Sequence, residues 1–201
     1  MRALRFALFG CLVLGSPLRA QTPRVVVPDV AMEDQFEKAH DVKHHRGSVV
    51  VLIYGDRASA NANRTLGEQL HVAFHPAAKG QPPARARTAP VVPIAGAATS
   101  PDVLAVPVAC IGKVPMLVRR LIRSQIKSGA PEVPVWLDFE DAMKTQFAFE
   151  AGVPNVVVLD TLGRYRYRYA AAGVPTREGM EKLVQAIEGY RREAVAATVP
   201  K

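Results

Sequence analysis

Cys11 and Cys110 are the only cysteines in this 201-residue chain, and so its only sources of a thiolate. A lone thiolate can attack an electrophile or a peroxide, but dithiol exchange needs a second thiol to resolve the mixed disulfide. Cys110 follows the apolar run Val103–Ala109 and precedes a helical pattern, with Lys113 close by. A helix N-terminus and a cation both lower a thiol pKa, so Cys110 is the candidate catalytic residue for single-cysteine redox or peroxidase chemistry. The competing reading is structural: cysteine packs as a small hydrophobe, and no P-x-x-x-T-x-x-C arrangement surrounds Cys110.

Asp56, Arg57, Ser59, Asn61 and Asn63 form a polar cluster between an apolar run and a helical stretch. Backbone N–H groups at such a junction can hold a small anion, with Arg57 as a fork donor. Capping of the helix by Ser59 or Asn61, with an Asp56–Arg57 surface pair, would account for the same residues structurally. His71 and His75 have the i, i+4 spacing of two ligands on one helix face. Without an obvious third ligand they are expected to be surface histidines, and the sequence implies no metal and no cofactor. His40, His44 and His45 could complete a set only if the fold brought them there.

The elements that must position these groups follow from hydrophobic periodicity. Val30–Val42 alternates loosely, as a hairpin around Glu33 and Asp34 would. Ser48–Tyr54 is an unbroken apolar run ending at Gly55, the pattern of a strand buried on both faces. Asn63–Val72 is helical, with Leu66 and Leu70 one turn apart. His75–Pro101 is dense in proline and small residues and reads as a mobile insertion. Val103–Ala109 is a strand, and Val114–Lys127 a helix carrying Val114, Leu117, Val118, Leu121, Ile122 and Ile126. Its other side, Arg119, Arg120, Arg123 and Lys127, is expected to face solvent. Val133–Asp138 is a strand and Glu140–Phe149 a short helix. Asn155–Asp160 and Arg164–Tyr169 make a hairpin across Thr161–Gly163, and Thr176 caps a last helix. The Arg/Tyr alternation of Arg164–Tyr169 suits an edge strand, charges guarding the edge and tyrosines packing under the last helix.

Bulk properties set the outer limits. Hydrophobic residues make up 49% and charged residues 22%, the balance of a globular chain. Lys and Arg outnumber Asp and Glu by 26 to 18, a net charge of +8, which gives a weak attraction to anionic surfaces. No basic run is interleaved with stacking aromatics, so no specific nucleic acid partner is expected. Met1–Ala20 has a charged start, an apolar run from Phe6 to Gly15 and a small residue, Ala20, before Gln21. That is a cleavable export signal rather than a transmembrane span, and it implies a periplasmic or secreted protein. Leu8–Cys11 has the outline of a lipoprotein site but would leave only seven residues before it, so lipidation is not expected. Cleavage after Ala20 would leave Cys110 as the single cysteine. The chain thus divides into residues 1–20 as signal, 21–195 as one domain with the insertion at 76–101, and 196–201 as a tail.

Three segments carry a family resemblance. V-V-V-L-I-Y-G-D-R-A-S-A-N-A-N-R-T-L-G-E-Q-L from Val49 to Leu70 resembles the strand, active-site turn and helix of thioredoxin, redoxin and TlpA-like proteins. P-V-W-L-D-F from Pro134 and G-V-P-N-V-V-V-L-D-T-L-G-R from Gly152 resemble their later half, and the chain is most similar to the periplasmic YtfJ-like branch. The resemblance implies an α/β thioredoxin-like fold, a mixed sheet sandwiched by helices. It also implies that Pro154 is a cis-proline facing the turn, with Val153 and Asn155 flanking the contact for an extended peptide. The paired cysteines of such proteins would fall near Ala60 and Asn63, where there is no sulfur. The expected function is therefore a non-catalytic binding or chaperone-like module. Its cleft is Asp56, Arg57, Ser59, Asn61, Asn63, Val153 and Pro154, and its partner an envelope protein or peptide. The alternatives are the single-cysteine enzyme using Cys110 and an envelope-associated protein held by positive charge.

Overall fold

The computed structural model describes residues 28–170 and 172–198, so the expected signal, its cleavage point and Cys11 lie outside the described residues. The strands are β1 (Ala31–Asp34), β2 (Ala39–Asp41), β3 (Val49–Gly55), β4 (Val103–Cys110), β5 (Trp136–Asp138), β6 (Asn155–Leu159) and β7 (Tyr165–Ala170). The helices are α1 (Ala60–Phe74), α2 (Pro83–Ala86), α3 (Met116–Gly129), α4 (Ala142–Gln146) and α5 (Arg177–Thr198).

All seven strands join one sheet in the order β2-β1-β5-β4-β3-β6-β7. β3, β4 and β5 run parallel, as the strand–helix–strand units of the sequence require, and every other pairing is antiparallel. β3 is buried along its whole length. Alternation sends Val50, Leu52 and Tyr54 into one core with Trp136, Met143 and Phe147. It sends Val49, Val51 and Ile53 into the other with Leu66 and Leu70 of α1 and Leu183 and Ile187 of α5. The result is a mixed sheet between two helical layers, as expected.

Four local differences from the sequence reading have identifiable causes. The first hairpin turns at Gln35–Lys38, not at Glu33–Asp34. The buried Asp34 carboxylate closes it by accepting from Phe36 N at 2.8 Å and Lys38 N at 3.1 Å. The Arg/Tyr alternation is broken by a bulge opposite Val158–Leu159. Tyr167 and Tyr169 then pack with α5, while Tyr165 meets Phe147 on the other side, with ring centroids 5.7 Å apart. Residues 76–101 have fixed attachments: Val92 N donates to Phe74 O, Ile94 is buried, and the Arg191 Nη2 donates to Val92 O. α3 is rotated relative to expectation, with Ile122 and Ile126 half-buried and Arg120 and Lys127 exposed as the pattern suggests. Arg119 and Arg123 face inward over the Phe139 ring, pairing with Glu140 and Glu33, while Leu117 and Leu121 face outward.

The β6–β7 turn supplies a pH dependence. The buried Asp160 carboxylate accepts from Leu162 N, Arg164 N, Arg164 Nε at 2.7 Å and Arg166 Nη1 at 3.1 Å. Burial pushes this carboxyl up, but the bonds from Arg164 and Arg166 outweigh it and hold it below its ordinary 3.8. The unfolded chain therefore binds this proton more readily than the folded one. The stabilisation is complete above the unfolded value and is lost as pH falls through the lower folded value. Urea unfolding is expected to show stability falling below about pH 4, with a shallower fall in Asp160→Asn. An unchanged slope in that variant would contradict this.

Candidate functional site

β3 ends at Gly55, and the chain must clear the sheet edge before α1 begins. Asp56 organises that turn. Its Oδ1 accepts from Ser59 N at 3.2 Å, and its carbonyl accepts from Ser59 Oγ at 3.1 Å. Ser59 is buried in the turn and its hydroxyl accepts from Asn63 Nδ2 at 3.3 Å. Ser59 occupies the N-cap position of α1 but makes no side-chain capping bond, Asn61 lies inside the helix, and the Asp56 carboxylate holds the N–H of Ser59 itself. The expected Asp56–Arg57 pair is also absent: Asp56 is engaged with backbone N–H groups. Arg57 is exposed and has no carboxylate partner among the described residues.

The second half of the site is the loop before β6. Asp56 Oδ2 accepts from Gly152 N at 2.8 Å, which fastens the turn to this loop across 96 residues of chain. Gly152 has φ +75°, a backbone shape that favours glycine. The buried Asn155 braces the loop from behind. Its Oδ1 accepts from Glu150 N at 2.9 Å, and its Nδ2 donates to Glu150 O at 2.8 Å and Val153 O at 3.0 Å. Val153 is half-buried and Pro154 buried. No peptide bond among the described residues is cis, so the expected cis form of Pro154 is corrected to trans. With Gly152 in a left-handed conformation and Asn155 holding Val153 O, the loop is shaped without it. The fold thus brings Asp56, Arg57, Ser59, Asn61, Asn63, Val153 and Pro154 to one edge.

One atom in the turn is left over. Asn63 Oδ1 is shielded from solvent and has no hydrogen-bond partner among the described residues. Such an acceptor costs on the order of 1–3 kcal/mol and tends to survive where a site has a use besides stability.

Cys110 ends β4 on the same sheet edge but faces the other side. Val106, Val108 and Cys110 share the core of Tyr54 and Trp136, whereas α1 covers the opposite face. Burial, and next the Asp138 carboxylate paired across from it on β5, push the Cys110 thiol up to about 12. The helix-dipole effect expected from the following helix is not realised. Ile111 N and Gly112 N both donate to Asp138 O, and α3 begins only at Met116.

The histidines are not gathered into a site. His75 is buried rather than on the surface. One ring nitrogen meets Asp102 Oδ1 at 2.8 Å and the other His71 O at 3.1 Å, with the His71 ring stacked at 4.3 Å. His40 meets Asp34 and stacks on Trp136, with His45 nearby. Among the described residues no group of three or more His, Cys, Asp or Glu could hold a metal ion. Arg164 before β7 and Arg166 within it pair with Asp160, and Arg168 of β7 pairs with Glu150.

No family model matches the chain, and no curated protein sequence does. Solved structures do. A protein from Neisseria meningitidis described as a thioredoxin is 16% identical with a TM-score of 0.52, the match covering 85% of this chain and 92% of that one. A protein from Bacteroides thetaiotaomicron described as a protein disulfide isomerase is 18% identical with a TM-score of 0.50, covering 84% and 89%. A protein from Chlorobium tepidum described as the thiol:disulfide interchange protein DsbE is 14% identical with a TM-score of 0.50, covering 82% and 94%. The fold is thioredoxin-like. In this thioredoxin-like chain the turn after β3 contains no cysteine, since the only one among the described residues is Cys110.

Three residues that build the site carry no chemical signal in the sequence. Gly55 and Gly152 shape the turn and loop, and Asp138 sets the field at Cys110. Gly152 stands out only as part of G-V-P-N, and Gly55 and Asp138 only as the ends of strands.

Proposed function

We propose that this is an exported, non-catalytic binding module that uses a cysteine-free thioredoxin-fold edge to hold an extended, carboxylate-bearing peptide. The Asp56–Gly152 hydrogen bond is the observation that carries the reading. It joins the turn and the Gly152–Pro154 loop into one edge on which Arg57 has no carboxylate partner among the described residues and Val153 is partly open. Arg57 offers a planar fork to a carboxylate, and the braced loop offers a fixed surface beside it. Export rests on the pattern of Met1–Ala20. Among the described residues no helix is long and apolar enough to cross a membrane. The resemblance to the YtfJ-like branch agrees with a member of this fold that has set aside dithiol exchange.

A single-cysteine enzyme centred on Cys110 is the less favoured reading, because a thiol near 12 is almost wholly protonated at neutral pH. Both readings are tested on the full chain. Cys110 is expected to react with an aromatic disulfide probe at pH 8 more than about a hundredfold more slowly in the native chain than in urea. Extended peptides with carboxylate side chains are expected to shift the amide signals of Gly152 and Val153. Arg57→Glu is expected to weaken that binding on the order of tenfold, the loss of one charge-assisted pair. Rapid native thiol reaction with peroxide consumption would favour the enzyme. Peptides that leave both amides unmoved, or bind Arg57→Glu equally well, would remove the binding reading.

A further inference from the structure

α3 packs on the protein through Arg119, Ile122, Arg123 and Ile126, leaving Leu117 and Leu121 outward. No residue of α3 is buried; Leu117 is 79% exposed, Met116 62% and Leu121 59%. Arg119 and Arg123 are occupied, stacked on Phe139 and paired with Glu140, Glu33 and Glu37. Those two cations offset two of the three carboxylates beside the helix, Arg123 being shared between Glu33 and Glu37. Lys113, Arg120 and Lys127 are exposed, and none has a carboxylate partner among the described residues. The sequence from Met116 to Gly129 contains no acidic residue. An exposed apolar ridge is thus flanked by an excess of cations, Lys113, Arg119, Arg120, Arg123 and Lys127 against Glu33, Glu37 and Glu140, on a chain of net charge +8.

We infer that α3 is the face by which this protein settles on an anionic lipid bilayer. Met116, Leu117 and Leu121 enter the headgroup boundary while Lys113, Arg120 and Lys127 meet lipid phosphates. The pattern is that of an interfacial helix, whose binding sums buried apolar area and attraction to anionic lipid. Shape favours this occupant over a folded partner. A ridge standing clear of the protein needs a matching groove on a rigid surface, whereas a bilayer parts around it. A second copy is disfavoured by area. Three protruding side chains per copy fall short of the roughly 800 Å² per partner that a stable dimer buries.

The test is flotation of the full chain with vesicles of phosphatidylcholine alone or mixed with phosphatidylglycerol, at low and physiological salt. The wild type is expected to bind the mixed vesicles and to weaken with salt. Leu117→Ser/Leu121→Ser and Lys113→Gln/Arg120→Gln are each expected to weaken binding on the order of tenfold or more. Both pairs are exposed, so the melting temperature should stay at the wild-type value. The apolar N-terminal segment is common to all these chains, so the differences report on α3. The proposal is overturned if the variants float like the wild type, or if neutral vesicles bind equally well. It is also overturned if the leucine variant loses only self-association or only capture of an acidic peptide, with no wild-type vesicle binding. Because Arg57 and Gly152 are untouched, failure here leaves the peptide-binding reading standing.

Discussion

Replacing Arg191 by alanine is expected to destabilise the protein by about 3–5 kcal/mol, the cost of breaking a buried, hydrogen-bonded charge from one side. Arg191 is 1% exposed, on the buried face of α5. Its Nε donates to Pro101 O at 2.9 Å and its Nη2 to Val92 O at 2.6 Å, while Nη1 pairs with Glu188 at 2.7 Å. The guanidinium also lies over the Phe74 ring, 5.7 Å from its centroid. One side chain thereby clamps α1, the proline-rich segment and the approach to β4 against α5. Removing it leaves two carbonyls without donors and a cavity beneath them. At about 2–4 °C per kcal/mol for a chain of this size, calorimetry should show the melting temperature falling by roughly 10 °C. Arg191→Lys should recover less than half, since one ammonium cannot reach acceptors in three directions. A loss below about 1 kcal/mol would show that the segment is held by something else.

That clamp also explains which parts of the fold were legible in the sequence. β3 could be read because its signal is local: seven consecutive buried residues need no partner to be recognised. The β6–β7 hairpin could be read for the same reason, from Thr161–Gly163 between two β-rich runs. The contacts of the proline-rich segment could not, because several come from distant residues, Arg191 lying 90 or more positions downstream. α3 misled for a related reason. Its periodicity shows an apolar and a basic face, but where between them the docking face falls was decided by Glu33, Glu140 and Phe139, none of them on the helix. Cys110 ends β4 at the sheet edge where β3 also ends. Strand parity then turned it away from the helix N-terminus and toward Asp138, reversing the expected direction of its pKa shift. In the turn, the polar residues were legible as a group but not the division of labour among them. Asp56 holds the Ser59 N–H, and Ser59 packs because the space above Gly55 admits only a small hydroxyl.

That space is the basis of the second large effect. A Cβ on Gly55 would lie 2.1 Å from Ser59 Oγ, 3.2 Å from Ser59 Cβ and 2.7 Å from Asn63 Nδ2. Ser59 is 1% exposed and has nowhere to withdraw without giving up its bond to Asp56 O. Gly55→Ala is therefore expected to cost about 2–3 kcal/mol, the range for overpacking a filled site. The damage should spread along the bonds that define the edge. If Ser59 moves, its N–H leaves Asp56 Oδ1, and the same carboxylate loses its hold on Gly152 N. Amide hydrogen exchange should thus accelerate at Ser59 and Gly152 together, while Val157 at the centre of β6 keeps its protection apart from the global loss. Removing the opposing hydroxymethyl in Gly55→Ala/Ser59→Gly should restore part of the stability, a coupling between neighbours that share one volume. Were Gly55→Ala neutral, or were Gly152 to keep its protection, the turn and the loop would not be one unit. The edge on which Arg57 stands would then be two independent surfaces.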